Sequence, residues 1–252
     1  MKKQIDVPKS HESSKFYDDL MEGKEQRGIL GKDARFNALR IVQRSSTKKY
    51  FTDVIAPYLS KQDKVLDFGC GPGSFLAAAA PLCGEIIGVD ISKNFVTATD
   101  DIIKKLNLEN AKSLHVEPDK LPFEDDCFES IILVDIVHHL EDITTTMQEV
   151  MRVLKPGGKL LIFEPNKLNP LIYLVHLRDK NEWGLLKLGT PWVYKKILGP
   201  ILDVESVDFN GIVIGPESKI FNFISDMLNF QFLKPFIGWL NPKMFIIGVK
   251  RQ

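Results

Sequence analysis

The sequence lacks the marks of several large classes of protein. Its 252 residues carry 33 basic and 33 acidic side chains, so there is no net charge to attract nucleic acid or an anionic surface. Its three cysteines, Cys70, Cys83 and Cys127, lack the spacing of a zinc site or a disulfide framework. No apolar run approaches the roughly 20 residues of a membrane span. The basic segment 1–10 has no apolar stretch like that of a signal peptide, so we expect a cytoplasmic protein without a bound metal.

What the sequence does contain is a regular alternation of strand and helix patterns, with no internal repeat. Short apolar runs predict strands at Val65–Phe68, Glu85–Asp90, Ser113–Val116, Ser130–Asp135, Lys159–Glu164 and Met244–Val249. Apolar residues at helical spacing predict helices at Phe75–Leu82, Phe95–Leu106 and Ile143–Leu154. Strands that alternate with helices of this length imply right-handed crossovers and a parallel, doubly wound α/β sheet.

The most informative segment joins the first strand to a helix through three glycines at alternate positions. It reads Asp67-Phe68-Gly69-Cys70-Gly71-Pro72-Gly73-Ser74. Because glycine has no Cβ atom, a ligand can come into contact with the backbone there. Asp67 adds a carboxylate at the end of the strand, which suits a cationic ligand and opposes a pyrophosphate. A dinucleotide loop, Gly-x-Gly-x-x-Gly, does not fit, because Ser74 or Leu76 occupies the place of its last glycine.

In this order along the chain, four features resemble the class I S-adenosylmethionine (SAM)-dependent methyltransferases, in particular the small-molecule, quinone-biosynthesis (type 11) group. They are the glycine segment, Asp90 after the second strand, Asp135-Ile136-Val137-His138-His139-Leu140, and Leu154-Lys155-Pro156-Gly157-Gly158. The resemblance covers about residues 50–165. It implies a seven-stranded Rossmann-like sheet, mostly parallel with an antiparallel last strand at the edge, plus a helical cap and lid. The implied divisions are an N-terminal helical cap (1–49), a SAM-binding core (50–165), a helical insertion or lid (166–202), and two last strands with an intervening helix (203–252).

The resemblance implies SAM as the cofactor and S-adenosylhomocysteine as the product. The implied cofactor-binding residues are Asp67, Gly69, Cys70, Gly71, Gly73, Asp90, Ile91, Glu117, Pro118 and Asp135. Asp90 is expected to bind the ribose, although a solvated aspartate or a helix cap is the alternative. Glu117-Pro118 replaces the Asp-Ala with which the family usually meets adenine, and Pro118 has no N–H to donate. Asp119 is an alternative for the acidic role, and a plain polar loop is the alternative for all three.

The candidates for a catalytic base are His139 and, second to it, His138. They follow the strand that ends at Asp135, close to the expected methyl group, and the pKa of a histidine lies near neutral pH. The alternative is that they cap the next helix or bind a backbone carbonyl. Many methyltransferases of this class use no base, because the sulfonium is already activated.

The acceptor is expected to be a small, apolar molecule that is methylated on oxygen or carbon by a single displacement. Residues 166–202 and 209–252 are rich in aromatic side chains, which form either an ordinary helical cap or a lid over a lipid-like or aromatic acceptor. Tyr17, Arg40 and Arg44 are either exposed helix residues or contacts of the cofactor carboxylate. A peripheral membrane contact lacks a basic amphipathic face to support it, and no pattern indicates an oligomeric state.

Two other functions remain open at this point. An RNA or protein methyltransferase is disfavoured by the balanced charge and by Asp135-Ile136-Val137-His138, where such enzymes have an Asn/Asp-Pro-Pro-Tyr type of motif. A non-catalytic, SAM-binding regulatory protein would keep the same fold and is separated from an enzyme only by assay.

Overall fold

The computed structural model describes residues 15–19, 22, 37–117, 120–177, 183–211, 219–230 and 232–252. Within these residues seven strands form one sheet in the order β3-β2-β1-β4-β5-β7-β6. The strands are β1 (Lys64–Phe68), β2 (Glu85–Asp90), β3 (Ala111–His115), β4 (Phe128–Val134), β5 (Leu154–Pro165), β6 (Asp203–Asp208) and β7 (Lys243–Val249).

Helices connect these strands and cover both faces of the sheet. Before β1 come α1 (Ala38–Gln43) and α2 (Ser45–Tyr50), continued by a π-turn (Phe51–Ile55) and a 3₁₀ turn (Ala56–Tyr58). Between strands lie α3 (Ser74–Ala79), α4 (Lys93–Leu106) and α5 (Ile143–Val153). The later helices are α6 (Pro170–Leu177), α7 (Gly184–Leu188), α8 (Pro191–Leu198), α9 (Lys219–Asn229) and α10 (Lys234–Ile237). None of the helices in the described ranges combines the length and the apolar character needed to cross a membrane.

The sheet is parallel from β3 to β5, and β7 runs antiparallel to both of its neighbours. The predicted mostly parallel, seven-stranded, doubly wound sheet is therefore confirmed. The chain winds outward in one direction through β1, β2 and β3, and in the other through β4 and β5. The switch point lies between β1 and β4, where the connections that follow the two strands run in opposite directions and leave a crevice outside the carboxyl ends.

The expectation that the antiparallel last strand lies at the sheet edge is wrong. β7 pairs with β5 on one side and β6 on the other, so β6 forms the edge. The burial of the two strands accounts for this order. Met244–Ile247 in β7 are nearly inaccessible and need cover on every side, whereas β6 carries exposed acidic side chains that suit an edge.

Alternate residues of the central strands enter two different apolar clusters. In β4, Ile131 and Leu133 pack with Met147 and Val150 of α5, whereas Ile132 faces the opposite cluster. This explains why the second half of β4, from Ile131 to Val134, is wholly apolar, since a parallel strand covered on both faces has no solvent side. The helix predicted at 75–82 is divided: α3 ends at Ala79 and a 3₁₀ turn follows at Ala80–Leu82, since Pro81 cannot continue the α-helical hydrogen bonds.

Candidate active site

A cavity of about 240 Å³ lies at the carboxyl edge of β1, β2 and β4, at the switch point of the sheet. The residues named from the sequence that line it are Asp67, Gly69, Cys70, Gly71, Asp90, Ile91, Asp135 and His139. Three others lie elsewhere: Gly73 packs against α4, Glu117 is exposed outside the lining, and His138 is buried behind it. Pro118 and Asp119 lie outside the described residues.

The glycine loop after β1 owes its shape to backbone conformations that favour glycine. Gly69, Gly71 and Gly73 all have positive φ angles, of 75°, 53° and 80°. A Cβ atom on Gly69 would lie 2.1 Å from Cδ1 of Ile136, so that position has no room for a side chain. A Cβ atom on Gly71 would meet nothing within 4 Å, which leaves the backbone of Gly71 open to a ligand.

Asp67 is a buried carboxylate without a hydrogen-bonding partner among the described residues. It is 1% exposed, and neither of its oxygens has a hydrogen-bonding partner in the described part of the chain. Burial, and secondly the charge of Asp90, raise the pKa of Asp67 to about 7. The backbone N–H of Leu76 opposes this rise in part. A cationic ligand at this site would supply the missing counter-charge.

Asp90, on the neighbouring strand, is held in a fixed orientation by the backbone. Its Oδ2 accepts from the N–H of Gly71 at 2.9 Å, and its Oδ1 accepts from the N–H of Ser92 at 2.8 Å. Burial raises the pKa of Asp90 to about 6, although these two N–H groups oppose the rise. The cap of α4 is Ser92, whose hydroxyl accepts from the N–H of Phe95. Each oxygen of Asp90 keeps a second lone pair for a ligand hydroxyl.

Three buried hydroxyl groups also line the cavity without a partner in the described part of the chain. They are Thr47 Oγ1, Tyr50 Oη and Ser74 Oγ. Burial raises the pKa of Tyr50, so its hydroxyl stays protonated and able to donate. Buried polar atoms are nearly always hydrogen-bonded, so a group of unsatisfied ones around one cavity indicates that a polar ligand completes the site.

Asp135 and Lys243 form an ion pair at the rim of the cavity. Asp135 is a non-glycine residue at a positive φ of 57°, and its N–H donates to the carbonyl of Phe163. Sequence reasoning missed Lys243, which begins β7. The signal was present, because a strand antiparallel to β5 begins at the side of the sheet where β5 and the strands parallel to it end.

The two histidines have different surroundings. His139 is half-buried and lines the cavity, where its Nε2 lies 3.3 Å from the hydroxyl of Tyr17. His138 is inaccessible, and its Nδ1 lies 2.6 Å from Oε2 of Glu164. Tyr17 lines the cavity, whereas Arg40 is exposed and Arg44 is buried outside the lining.

Comparison with known proteins places this arrangement among methyltransferases. Residues 66–162 match a family model described as a methyltransferase domain. An uncharacterized methyltransferase of Bacillus subtilis, YcgJ, is 30% identical over 150 residues, which are 54% of this chain and 59% of that protein. A demethylmenaquinone methyltransferase of Bacillus velezensis is 30% identical over 156 residues, which are 59% of this chain and 67% of that protein.

The similarity extends to solved structures. A SAM-dependent methyltransferase from Aquifex aeolicus has a TM-score of 0.57 and 19% sequence identity, over 85% of this chain and 98% of that one. Similarity at that level of identity shows the fold alone. The chain spans between 48% and 67% of the length of the first three curated relatives that it matches.

Proposed function

Because the chain belongs to the family of SAM-dependent methyltransferases, we propose that it transfers a methyl group from SAM to a small, apolar acceptor. SAM is the cofactor of this family, and when bound it supplies a methyl group activated by a positively charged sulfur. The transfer is a single displacement that leaves S-adenosylhomocysteine. The conclusion rests chiefly on one observation: buried polar atoms of Asp67, Thr47, Tyr50 and Ser74, which have no partner within the described ranges, surround a single cavity.

The residues of the cavity fit the chemistry of this cofactor. Asp67 offers a negative charge to a cationic group, which a phosphate-bearing ligand would not require. Asp90 offers two oriented acceptor oxygens, which suit the adjacent hydroxyl groups of a ribose. The open backbone at Gly71 allows close approach. In this proposal these three residues bind and orient the cofactor, and they take no part in proton transfer.

The rest of the lining favours an apolar acceptor. The cavity wall includes Phe51, Phe75, Phe163, Ile41 and Leu140, and the described residues of 166–202 contribute nothing to it. Aromatic and aliphatic walls bind a flat apolar ring by excluding water from both surfaces. The reduced, quinol form of a quinone-type ring is therefore the first acceptor to test, because its electron-rich carbon can attack the methyl group. The naming of some relatives after demethylmenaquinone supports that choice. The quinol would be methylated on carbon, and a phenol on oxygen is the second choice.

We assign the role of general base to His139. Its ring is in the cavity beside the hydroxyl of Tyr17, whereas the Nδ1 of His138 is bound to Glu164. A base at this point removes a proton from the acceptor as the new bond forms. His139→Ala should therefore lower kcat by roughly 100-fold or more, while the affinity for SAM stays unchanged. Equal turnover of the variant at every pH would remove the role.

Calorimetry and a transfer assay test the function itself. Titration with SAM and with S-adenosylhomocysteine should show binding of both. Labelled SAM should then transfer its methyl group to demethylated quinols or to phenols. Binding of SAM without transfer to any small acceptor, RNA or protein would favour a regulatory SAM-binding protein. Absence of binding to either cofactor form would refute the enzyme proposal.

A further inference from the structure

Glu164, near the end of β5, is a carboxylate with all of its acceptor positions filled. Its Oε1 accepts from the N–H groups of Ile136 and Val137, at 2.9 and 2.8 Å. Its Oε2 accepts from the hydroxyl of Tyr194 at 2.7 Å and lies 2.6 Å from Nδ1 of His138. An ionised carboxylate has about four lone-pair sites. The network therefore assigns the proton of His138 to Nδ1, so that this nitrogen donates.

This network fixes the position of the turn that contains His139. Ile136 and Val137 begin a 3₁₀ turn that ends at His139, and the N–H of His139 donates to the carbonyl of Ile136. The rings of His138 and His139 lie 4.0 Å apart between their centres. The position of the His139 ring therefore depends on the two N–H groups and the one imidazole that Glu164 binds.

The same network attaches the helical insertion to the turn. Tyr194 belongs to α8, and it, Glu164 and His138 are all inaccessible to solvent. Gly184 in α7 approaches the turn so closely that a Cβ atom there would lie 1.6 Å from the carbonyl oxygen of His138. Through Gly184 and Tyr194 the insertion thus packs against the back of the turn, and none of its described residues lines the cavity.

We propose that Glu164 is a positioning residue for methyl transfer, which ties the turn carrying His139 to Tyr194 of the insertion. This inference rests on the proposed function. Glu164 does not line the cavity itself and acts only through the turn. Because a misplacement of a catalytic group by about 1 Å can lower a reaction rate about 100-fold, we expect this buried hydrogen-bond network to affect turnover more than cofactor binding.

Glu164→Gln tests this hydrogen-bond network, because the amide nitrogen of glutamine is a donor and cannot accept a hydrogen bond from His138 or Tyr194. We expect kcat to fall roughly 10- to 100-fold, with unchanged affinity for SAM by calorimetry. Glu149→Gln is the matched control: Glu149 also accepts a backbone N–H, from Leu121, and binds Arg152, but it lies away from the cavity. A variant of Glu164 that melts at a lower temperature yet keeps its kcat would show a structural role only and overturn the proposal.

Amide hydrogen exchange tests the proposal without knowledge of the methyl acceptor. The amides of Ile136 and Val137 should exchange faster in Glu164→Gln and in Tyr194→Phe, and at the wild-type rate in Glu149→Gln. Tyr194→Phe removes a single hydroxyl, so it carries the test where Glu164→Gln does not fold. Unchanged exchange in the folded variants overturns the proposal even where methyl transfer is observed. A wild-type protein that does not bind SAM refutes the proposed function, whatever the exchange result.

Substitutions of His138 separate positioning from base catalysis. The amide nitrogen of Asn can take the place of Nδ1 and donate to Glu164, whereas Leu cannot. His138→Asn should therefore keep more of the turnover than His138→Leu. Equal loss in both, with unchanged exchange at Ile136 and Val137, would assign the base to His138 and overturn the proposal.

Discussion

Asp67 and Asp90 lie on adjacent strands and line the same cavity, yet the chain treats them differently. Two backbone N–H groups orient Asp90, whereas Asp67 has no hydrogen-bonding partner among the described residues. A carboxylate in a fixed orientation selects hydroxyl groups through directional hydrogen bonds. A buried, unbalanced carboxylate selects a cation through electrostatic attraction. The two residues therefore make separate contributions to the binding of one cofactor.

Replacement of Asp90 tests the first contribution. Asp90→Ala should weaken SAM binding by roughly 1.5–3 kcal/mol, or about 10- to 150-fold in Kd, because charged hydrogen bonds are lost. Asp63→Ala is the control: Asp63 also accepts a backbone N–H, from Ser60, but precedes β1 at the opposite edge of the sheet. Calorimetry should show its SAM affinity unchanged. Equal Kd values for wild type and Asp90→Ala would mean that the ribose is held elsewhere.

At the scale of single residues, the sequence predicted those parts of the site that lie at the end of a strand or just after it. Asp67, Asp90 and Asp135 each end an apolar run, and the structure brings them to one cavity. Glu164 ends an apolar run in the same way but was missed, because the sequence does not reveal which turn its side chain faces. The unsatisfied hydroxyls of Thr47 and Tyr50 come from α2, whose approach to the cavity is a matter of tertiary packing.

At the scale of elements, the glycine loop combines a left-handed backbone with open space for a ligand, and substitutions can test these two properties separately. Gly71 and Gly157 both have positive φ, and at both a Cβ atom would meet nothing within 4 Å. Of the two, only Gly71 lines the cavity, whereas Gly157 lies in the first part of β5, outside the lining. The backbone cost of an alanine is thus similar at the two positions, and only the contact with a ligand differs.

This pair gives a matched test of the loop. Gly71→Ala and Gly157→Ala should each lower the free energy of unfolding by about 1 kcal/mol, because left-handed backbone is unfavourable for alanine. Only Gly71→Ala should also weaken SAM binding, since its methyl group enters the cavity. Thermal melting measures the first effect and calorimetry the second. Equal SAM affinity in both variants would show that the cofactor does not approach Gly71.

The elements that sequence reasoning placed well are those with strong local signals. β2 has the predicted bounds, and α4 begins two residues before its predicted start. The position of β7 between β5 and β6 was not predictable in the same way, because strand order depends on pairing between distant segments. The role of α7 and α8 against the turn also follows from packing alone.

At the scale of the whole molecule, the buried carboxylates oppose the stability of the cofactor-free protein. The pKa of Asp67 rises from 3.8 to about 7 on folding, so the folded protein binds the proton more tightly than the unfolded chain. Between these values the unfolded state holds fewer protons, and stability therefore falls as pH rises. Asp90 acts in the same direction, with a pKa of about 6. Binding of a cation beside the ionised carboxylates would offset this loss of stability.

This linkage predicts how stability depends on pH and cofactor. Relative to wild type, cofactor-free Asp67→Asn should gain stability as pH rises from about 4 to about 7, by up to about 1.4 kcal/mol per pH unit. Above pH 7 the gain should level off, because Asp67 is then ionised in both states. In wild type, SAM should raise the melting temperature more at pH 8 than at pH 6, and S-adenosylhomocysteine, which lacks the sulfonium charge, should show a weaker pH dependence. If the stabilities of wild type and Asp67→Asn changed with pH in the same way between about pH 4 and pH 7, the assignment of a buried, unbalanced charge to Asp67 would be contradicted.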